Sequence, residues 1–445
     1  MNKYKGISKE TNKTLLNALY VAIMLLFYLA FTHFVYGSLR GYDYRLRGYL
    51  VLSLLQIIMI YEFSTIFGSF KIGVRKISDL ALSRILGMFF CAIISYIVLC
   101  LIDAKLVNVL PYLIMFIVQS IICIWLSYFS NSIIRTKYLP AKALVIYGNS
   151  EYKKVVEKIK LYQEYEFNII KCLKEDKTDI NKFNKLISDY ECIITIDIDH
   201  EIKKNIIKIC YENNMNVYDV PSITDVFIKS SEVTSFIDTP LFKMNKLGPS
   251  HTERIIKRSI DLFGSIVLLI LSSPIMLIIS IAIKIQDGGD VFFKQKRLTK
   301  NGKVFELVKF RSMIMNAEPE GKMIRAKNND ERITKLGKFL RSTRLDELPQ
   351  VYNILRGDMS FVGPRALRIE EYEENEEKFP EFKYRLKVQA GLTGYAQIYG
   401  KYNTTFRDKL LLDIYYIENY SIVLDINLIL MTFVTMLFKD STEGF

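Results

Sequence analysis

The run Leu262–Ile283 carries no charge, yet it holds Ser272, Ser273 and Pro274 in its middle. About 20 apolar residues suffice to cross a bilayer as a helix, so the run is long enough to span. Proline removes a backbone donor and kinks a helix, so the run is also interrupted. Whether it crosses or enters and turns back decides on which side of the membrane everything after it works.

Four further apolar segments precede it: Leu15–Tyr36, Tyr49–Phe70, Ile85–Ile102 and Leu106–Ile134. Each has the length of a transmembrane helix. The second carries one charge, Glu62, which is costly in lipid and marks either a functional group or one facing a neighbouring helix. Basic residues set the orientation. Lys3, Lys5, Lys9, Lys13, Lys71, Arg75, Lys76, Arg84, Arg135, Lys137 and Lys142 fall on one side, against Arg40, Arg45, Arg47 and Lys105 on the other. The larger set marks the cytoplasmic face, so the chain after the fourth helix is expected in the cytoplasm. No signal-peptide cleavage pattern precedes the first helix.

Residues 141–250 change character. "KALVIYGNS" reads as a buried strand and turn, "SEYKKVVEKIKLY" as a helix, "YECIITIDID" as a second strand, "EIKKNIIKICYENN" as a helix and "NVYDV" as a short strand. Such alternation implies a parallel sheet covered by helices, a Rossmann-like unit. Its first turn has a single glycine, Gly148, and lacks the G-x-G-x-x-G that lets a pyrophosphate approach the backbone. A structural domain is therefore favoured over a nucleotide sensor. Asp197-Ile198-Asp199 forms a D-x-D triplet at the end of a strand. It is readable as a nucleotide-sugar metal site or, more simply, as a cap for the next helix.

The formal net charge of +13 suits nucleic acid, anionic lipid or phosphorylated substrates without choosing among them. No cysteine pair has disulfide or zinc-site spacing. After His251 the chain contains neither His nor Cys, so chemistry there must use carboxylates, hydroxyls, amines or guanidinium groups. The densest candidate is "LRSTRLDELPQVYNILRGDMSFVGPRA". Asp346 and Glu347 are adjacent carboxylates that project in different directions on a helix. One can act as a nucleophile while the other holds a metal. Gly357, Gly363, Pro364 and Arg365 supply a tight turn followed by a guanidinium, a combination suited to phosphate. Upstream, "VFFKQKRLTKNGKVFELVKFRSM" reads as a hairpin about Asn301-Gly302. It carries Gln295, Arg297, Lys309 and Arg311.

From about Thr252 to the C-terminus the chain resembles the bacterial sugar transferases, the monotopic phosphoglycosyl transferases. The pieces that carry the resemblance are "IIKRSIDLFGS", the central "SSP", "QKRLTKNGKVFELVKFRSM", "RLDELPQVYNILRGDMSFVGPR", "AGLTGYAQIYG" and "LLLDIYYIENYSIVLDI". Ala390 stands where the family usually has Pro and Tyr395 where it often has Trp, two departures that bear on sugar choice. The resemblance implies that a UDP-sugar gives its sugar-1-phosphate to undecaprenyl phosphate, releasing UMP. It implies Asp346 as the nucleophile of a covalent phosphosugar intermediate and Glu347 as a ligand of Mg²⁺. Lys309, Arg311, Arg341 and Arg365 are the expected phosphate ligands, with Arg297, Gln350 and Gly363 completing the substrate site.

The expected fold is a multi-domain α/β membrane protein. It has four transmembrane helices in 1–140, a Rossmann-like domain in 141–250, and a mainly α catalytic domain in 251–445 with a β-hairpin and a re-entrant helix at about 256–284. Lys257, Arg258 and Asp261 lie at i, i+4 and i, i+3 spacing at the start of that helix, which predicts one ion-paired cluster at the water boundary. A Ser272 or Ser273 hydroxyl is expected to serve a carbonyl freed by Pro274. The expected setting is the bacterial plasma (inner) membrane with soluble parts in the cytoplasm. The expected partners are a UDP-sugar, undecaprenyl phosphate, membrane lipids and a second copy in a homodimer, with no nucleic acid. Two other readings stay open: a metal-dependent glycosyltransferase using Asp197 and Asp199, and a non-enzymatic membrane scaffold.

Overall fold

The structure, a computed structural model, describes residues 8–36, 46–149, 152–177, 183, 186–244, 248–315, 317, 330–400 and 404–437. Lys3, Lys5, Arg40 and Arg45 of the charge count lie outside these residues. The chain divides into two compact units, Met1–Pro221 and Ser222–Phe445.

The first unit opens with four apolar helices, α1 (Lys9–Ala30), α2 (Leu46–Phe67), α3 (Ile77–Asp103) and α4 (Leu110–Lys137). By length and composition each is able to cross a membrane. Helix α1 runs on into a wider π-helical turn, Phe31–Tyr36. Their shared interior contains Tyr20, Met24, Met59, Ile60, Met88, Cys91, Cys123 and Leu126. Arg84 is buried there, with its guanidinium 3.3 and 3.4 Å from the hydroxyls of Ser127 and Ser130. Glu62 does not turn inward: it is exposed on α2.

The same unit continues as β1 (Ala141–Tyr147), α5 (Tyr152–Tyr162), β2 (Phe167–Lys174), β3 (Cys192–Ile196), α6 (His200–Glu212) and β4 (Asn216–Val220). The strands pair in the order β2-β1-β3-β4, all parallel. The central strands are continuous apolar runs because both faces are covered. Strand β2 is not evident in the sequence: it is an edge strand, largely exposed, so its apolar residues never form a continuous block. Asp199 caps α6, its carboxylate accepting from the amides of Glu201 and Ile202. Asp197 accepts instead from the Asn149 amide at 2.7 Å. A Cβ on Gly148 would meet the Asp197 carbonyl at 2.0 Å, so this glycine allows a close backbone approach.

The second unit begins with α7 (Ile223–Lys229), which packs through Val226 into a core with Leu410 and Ile414. The hairpin β5 (Glu232–Phe236) and β6 (Thr239–Lys243) follows. Next comes α8 (His251–Asp287), a 37-residue helix with Pro274 inside it. It starts at a capping box in which Ser250 and Glu253 satisfy each other's amides. It ends at Gly288, whose φ of 70° is the left-handed conformation glycine adopts without cost. The Ser273 hydroxyl donates to the Ile270 carbonyl at 2.9 Å. That carbonyl lies four residues before Pro274 and so lacks its helical N–H partner.

The cluster expected among Lys257, Arg258 and Asp261 does not form. Each side chain reaches a different element instead. Lys257 pairs with Asp425 at 2.5 Å. The Arg258 guanidinium donates to the carbonyls of Ile354 and Leu355 at 2.6 and 2.7 Å. Asp261 accepts from the Ser360 hydroxyl and the Phe361 amide. Helical spacing permits local pairing, but exposed pairs contribute little. Partners that tie the helix to the rest of the unit win.

Beyond α8 the chain forms the hairpin β7 (Phe292–Leu298) and β8 (Val304–Phe310), with Asn301 and Gly302 both at positive φ. It continues through α9 (Lys335–Ser342), α10 (Gln350–Arg356), β9 (Met359–Val362), α11 (Ile369–Lys378), β10 (Ala390–Thr393), α12 (Tyr395–Tyr399), α13 (Phe406–Glu418) and α14 (Ile422–Leu437). Strands β9 and β10 pair in parallel. Beside them a Cβ on Gly363 would meet the Gln389 carbonyl at 2.2 Å, and one on Gly394 the Gly363 carbonyl at 2.1 Å. Glycine is required there for two backbones to touch.

Candidate active site

The second unit holds a cavity of about 740 Å³. Its lining comes from four parts of the chain: the hairpin and the residue that follows it (Gln295, Arg297, Lys309, Arg311), the end of α9 and the turn after it (Arg341, Arg344, Asp346, Glu347), the segment after β9 (Arg365, Arg368), and α12 with α13 (Gln397, Lys409, Asp413).

Asp346 and Glu347 sit in a single 3₁₀ turn, Leu345–Glu347. Helix α9 ends at Thr343, and Arg344 then takes a left-handed φ of 56°. A non-glycine residue in that region is uncommon and costs on the order of 1–3 kcal/mol, strain that gathers at functional sites. Here it turns the chain so that both carboxylates face the cavity. Leu345 and Leu348 flank the pair and pack against the cluster of Ile279, Ile283, Phe310 and Leu340. The far half of α8 and the turn thus share one apolar cluster, joined through Phe310 and Leu340.

The two carboxylates have opposite surroundings. Glu347 accepts from the Lys309 amine at 2.7 Å, and Arg365 stands 3.9 Å away. Burial works against its ionisation, but the charges of Lys309, Arg365 and Arg344 outweigh it and bring the carboxyl down to about 2. Asp346 is buried, and among the described residues its carboxylate makes no hydrogen bond or ion pair. Burial pushes it up to about 6, helped by the neighbouring Glu347 and opposed by Lys309, Arg341 and Arg365. One carboxylate is thus held by cations that favour its charged form. The other is unheld and faces open space.

The remaining expected residues divide. Lys309, Arg341 and Arg365 line the cavity around the pair, and the Arg341 guanidinium is steadied by the Ser312 hydroxyl at 2.8 Å. Arg297 lines it as well, bonded to Gln295 at 2.6 Å and to the Ala366 carbonyl at 3.2 Å. Arg311 reaches the lining, but its guanidinium is spent on Asp287 and on the Asp290 carbonyl, fastening the hairpin to the end of α8. Gln350 is buried at the start of α10, away from the cavity wall. Gly363 is also off the wall, its amide donating to Thr393 at 2.9 Å. Ser273 and Pro274 lie on α8 away from the cavity, as do Lys257, Arg258 and Asp261.

Among the lining residues not singled out in the sequence are Arg385, Lys409 and Asp413. The signal was present in "DKLLLDIYY", where Lys409 and Asp413 stand four apart on the polar side of an apolar helix. Asp197 and Asp199 belong to no metal-ligand cluster. Among the described residues no group of three or more His, Cys, Asp or Glu could hold an ion.

A sequence model described as bacterial sugar transferase matches residues 252–439. Several characterised proteins are similar over longer stretches. A UDP-N-acetylgalactosamine-undecaprenyl-phosphate N-acetylgalactosaminephosphotransferase of Aeromonas hydrophila is 30% identical over 325 residues, 72% of this chain and 72% of its own. A UDP-glucose:undecaprenyl-phosphate glucose-1-phosphate transferase of Klebsiella pneumoniae is 36% identical over 234 residues, 52% of this chain and 50% of its own. A Rhizobium leguminosarum protein named for exopolysaccharide production is 38% identical over 199 residues, 43% of this chain but 98% of its own. The similarity is thus dense where the cavity lies, and with the Aeromonas enzyme it extends over most of both chains: the chain belongs to the bacterial sugar transferase family.

Proposed function

We propose that the protein transfers a sugar-1-phosphate from a UDP-sugar to undecaprenyl phosphate, releasing UMP, as the first step of a surface polysaccharide repeat unit. The observation that carries this reading is the unheld, buried carboxylate of Asp346 in a cation-lined cavity, beside a Glu347 that is fixed and charged. An Asp346 oxygen attacks the sugar-bearing phosphorus, and the bond from that phosphorus to the UMP oxygen breaks with its electron pair leaving on UMP. An oxygen of the lipid phosphate then attacks the same phosphorus. The acyl-phosphate bond breaks and returns the electron pair to Asp346. No net proton is consumed. Lys309, Arg341 and Arg365 offset the charge that gathers on phosphate oxygens during both displacements.

Glu347, with Asp346 adjacent, fits Mg²⁺: oxygen donors only, one or two carboxylates, and room for substrate phosphates to complete the shell. When bound there, Mg²⁺ would supply charge neutralisation at the diphosphate. The relatives are named for N-acetylgalactosamine and glucose transfer, so the sugar is to be read from a donor panel. Purified protein given undecaprenyl phosphate and each of several UDP-sugars should release UMP with at least one. Release of UDP would indicate simple glycosyl transfer, and absence of any release would sink the reading.

The four helices of the first unit are read as spanning the inner membrane with the N-terminus inside, and the parallel sheet as a Rossmann-like cytoplasmic domain. Helix α8 is read as re-entrant. A straight helix rises about 1.5 Å per residue, which would place Arg258 and Ile279 about 32 Å apart. Yet Arg258 is held by Ile354, while Ile279 packs in the cluster that Leu348 joins, only six residues earlier in the same compact unit. A bend at Pro274 would reconcile these contacts and would put both ends of α8 on one side. With the native cysteines replaced, Lys294→Cys on the hairpin should resist an impermeant thiol reagent in intact cells and react after lysis. Labelling of intact cells would rule out the re-entrant topology.

The Asp346 carboxyl sets a pH dependence. Only its ionised form attacks, so kcat/KM should fall about tenfold per pH unit below about 6. Above that value it should level off. Glu347, held down near 2, adds no inflection in this range. A flat profile from pH 5 to 8 would exclude Asp346 as the titrating nucleophile.

A further inference from the structure

The cavity wall beyond the carboxylates carries a second set of charges, and one of them is unclaimed. Lys409, on α13, lines the cavity, and among the described residues its amine makes no hydrogen bond or ion pair. The Phe406 ring lies 5.3 Å from the amine. Burial, and then the charge of Arg365, push its pKa down from the usual lysine value. One turn on, Asp413 is already committed to Arg385 at 2.9 Å. Arg385 is 6% exposed and donates to the Arg365 carbonyl at 3.1 Å, while its Nε finds no partner. Lys409 thus stands among two cations, Arg365 and Arg385, and two carboxylates, Glu371 and Asp413, with a spare buried Arg385 N–H beside it, an arrangement that an added anion completes.

We propose that Lys409, over the Arg385–Asp413 pair, forms a second phosphate subsite, which holds the phosphate opposite Asp346 in both half-reactions. This rests on the phosphosugar-transfer reading above. Attacking and leaving oxygens lie roughly in line at the transferred phosphorus. The phosphate of UMP therefore departs on the side away from Asp346, and the lipid phosphate must later arrive on that same side. Arg365 connects the two regions, standing 3.9 Å from Glu347 and carrying the carbonyl that Arg385 holds. A single lysine subsite can thus serve the donor's leaving phosphate and then the acceptor's.

The test uses the full chain in lipid nanodiscs. Binding of labelled UMP, which needs no turnover, should weaken about tenfold in Lys409→Met, the scale of losing one charged hydrogen-bond partner. Lys409→Arg should retain most of the affinity, and Lys378→Met, on the exposed face of α11, should behave as the unmodified protein. In steady state, Lys409→Met should raise KM for both the UDP-sugar and undecaprenyl phosphate. Unchanged UMP affinity, or a change confined to one of the two substrates, overturns the shared subsite. A wild-type protein that binds UMP through Lys409 but never releases it from a UDP-sugar would defeat the transfer reading and leave the subsite standing.

Discussion

Asp346→Asn abolishes turnover and abolishes labelling of the protein by the sugar-phosphate of the donor. The amide keeps the shape of the carboxylate but cannot form the acyl-phosphate, so no condition restores it. Glu347→Gln behaves differently. On the proposed mechanism Glu347 makes no bond to the transferred group; it is the charged residue held at 2.7 Å from Lys309. Its replacement leaves an oxygen in place, removes the charge and frees Lys309. Slow activity should remain, weaker in Mg²⁺ affinity by direct binding measurement and partly recovered by excess Mg²⁺. The comparison separates the two roles because added metal cannot replace a missing nucleophile. A phosphosugar-enzyme that still accumulates in Asp346→Asn assigns the covalent bond to another residue.

Asp413→Ala destabilises the second unit by about 3–5 kcal/mol, the range for removing one partner of a buried ion pair. Asp413 and Arg385 are 2% and 6% exposed and 2.9 Å apart, so the orphaned guanidinium is left largely out of water. The exposed pair Lys378–Glu374 has a similar separation, 2.8 Å, yet Lys378→Ala should cost within about 1 kcal/mol. Equal separations with unequal burial make this a direct comparison, read as the thermal unfolding of full-length protein in one detergent. Asp413→Leu/Arg385→Met, which removes both charges, should recover much of the loss. If the two single variants unfold at the same temperature, water reaches the Arg385–Asp413 pair and the rigid support under Arg365 is gone.

Local signals in the sequence were strong where a residue's own conformation decides the outcome. Asn301-Gly302 gives a hairpin because both residues accept positive φ. The strands β1 and β3 are legible because both their faces are buried. The carboxylate pair with Lys309, Arg341 and Arg365 drew attention as charges gathered in two motif blocks, although each alone reads equally as a helix-end or surface charge. What escaped the sequence depends on partners distant in the chain. The Lys257, Arg258 and Asp261 spacing suggests local pairing, but Asp425, Ile354 and Ser360 supply better partners. Arg311 looks like its neighbour Lys309 in sequence, and only the fold brings Asp287 to it. Gly363 resembles a phosphate turn until the backbone of 389–394 is seen against it. Arg385 and Asp413 lie 28 positions apart, with nothing in either local pattern to pair them.

Helix α8 is moored to one body at both ends, by Arg258 and Asp261 near its start and by Ile279 and Ile283 near its finish. A helix that crosses a bilayer must match the whole hydrocarbon thickness, and any mismatch tilts it or deforms the lipid. On the re-entrant reading α8 samples one leaflet only. The height of the cavity above that leaflet is then fixed by the protein, because the turn bearing Asp346 shares one apolar cluster with the far half of that helix. Catalytic rate should therefore depend weakly on acyl-chain length in reconstituted membranes, where a fully spanning anchor would make it vary.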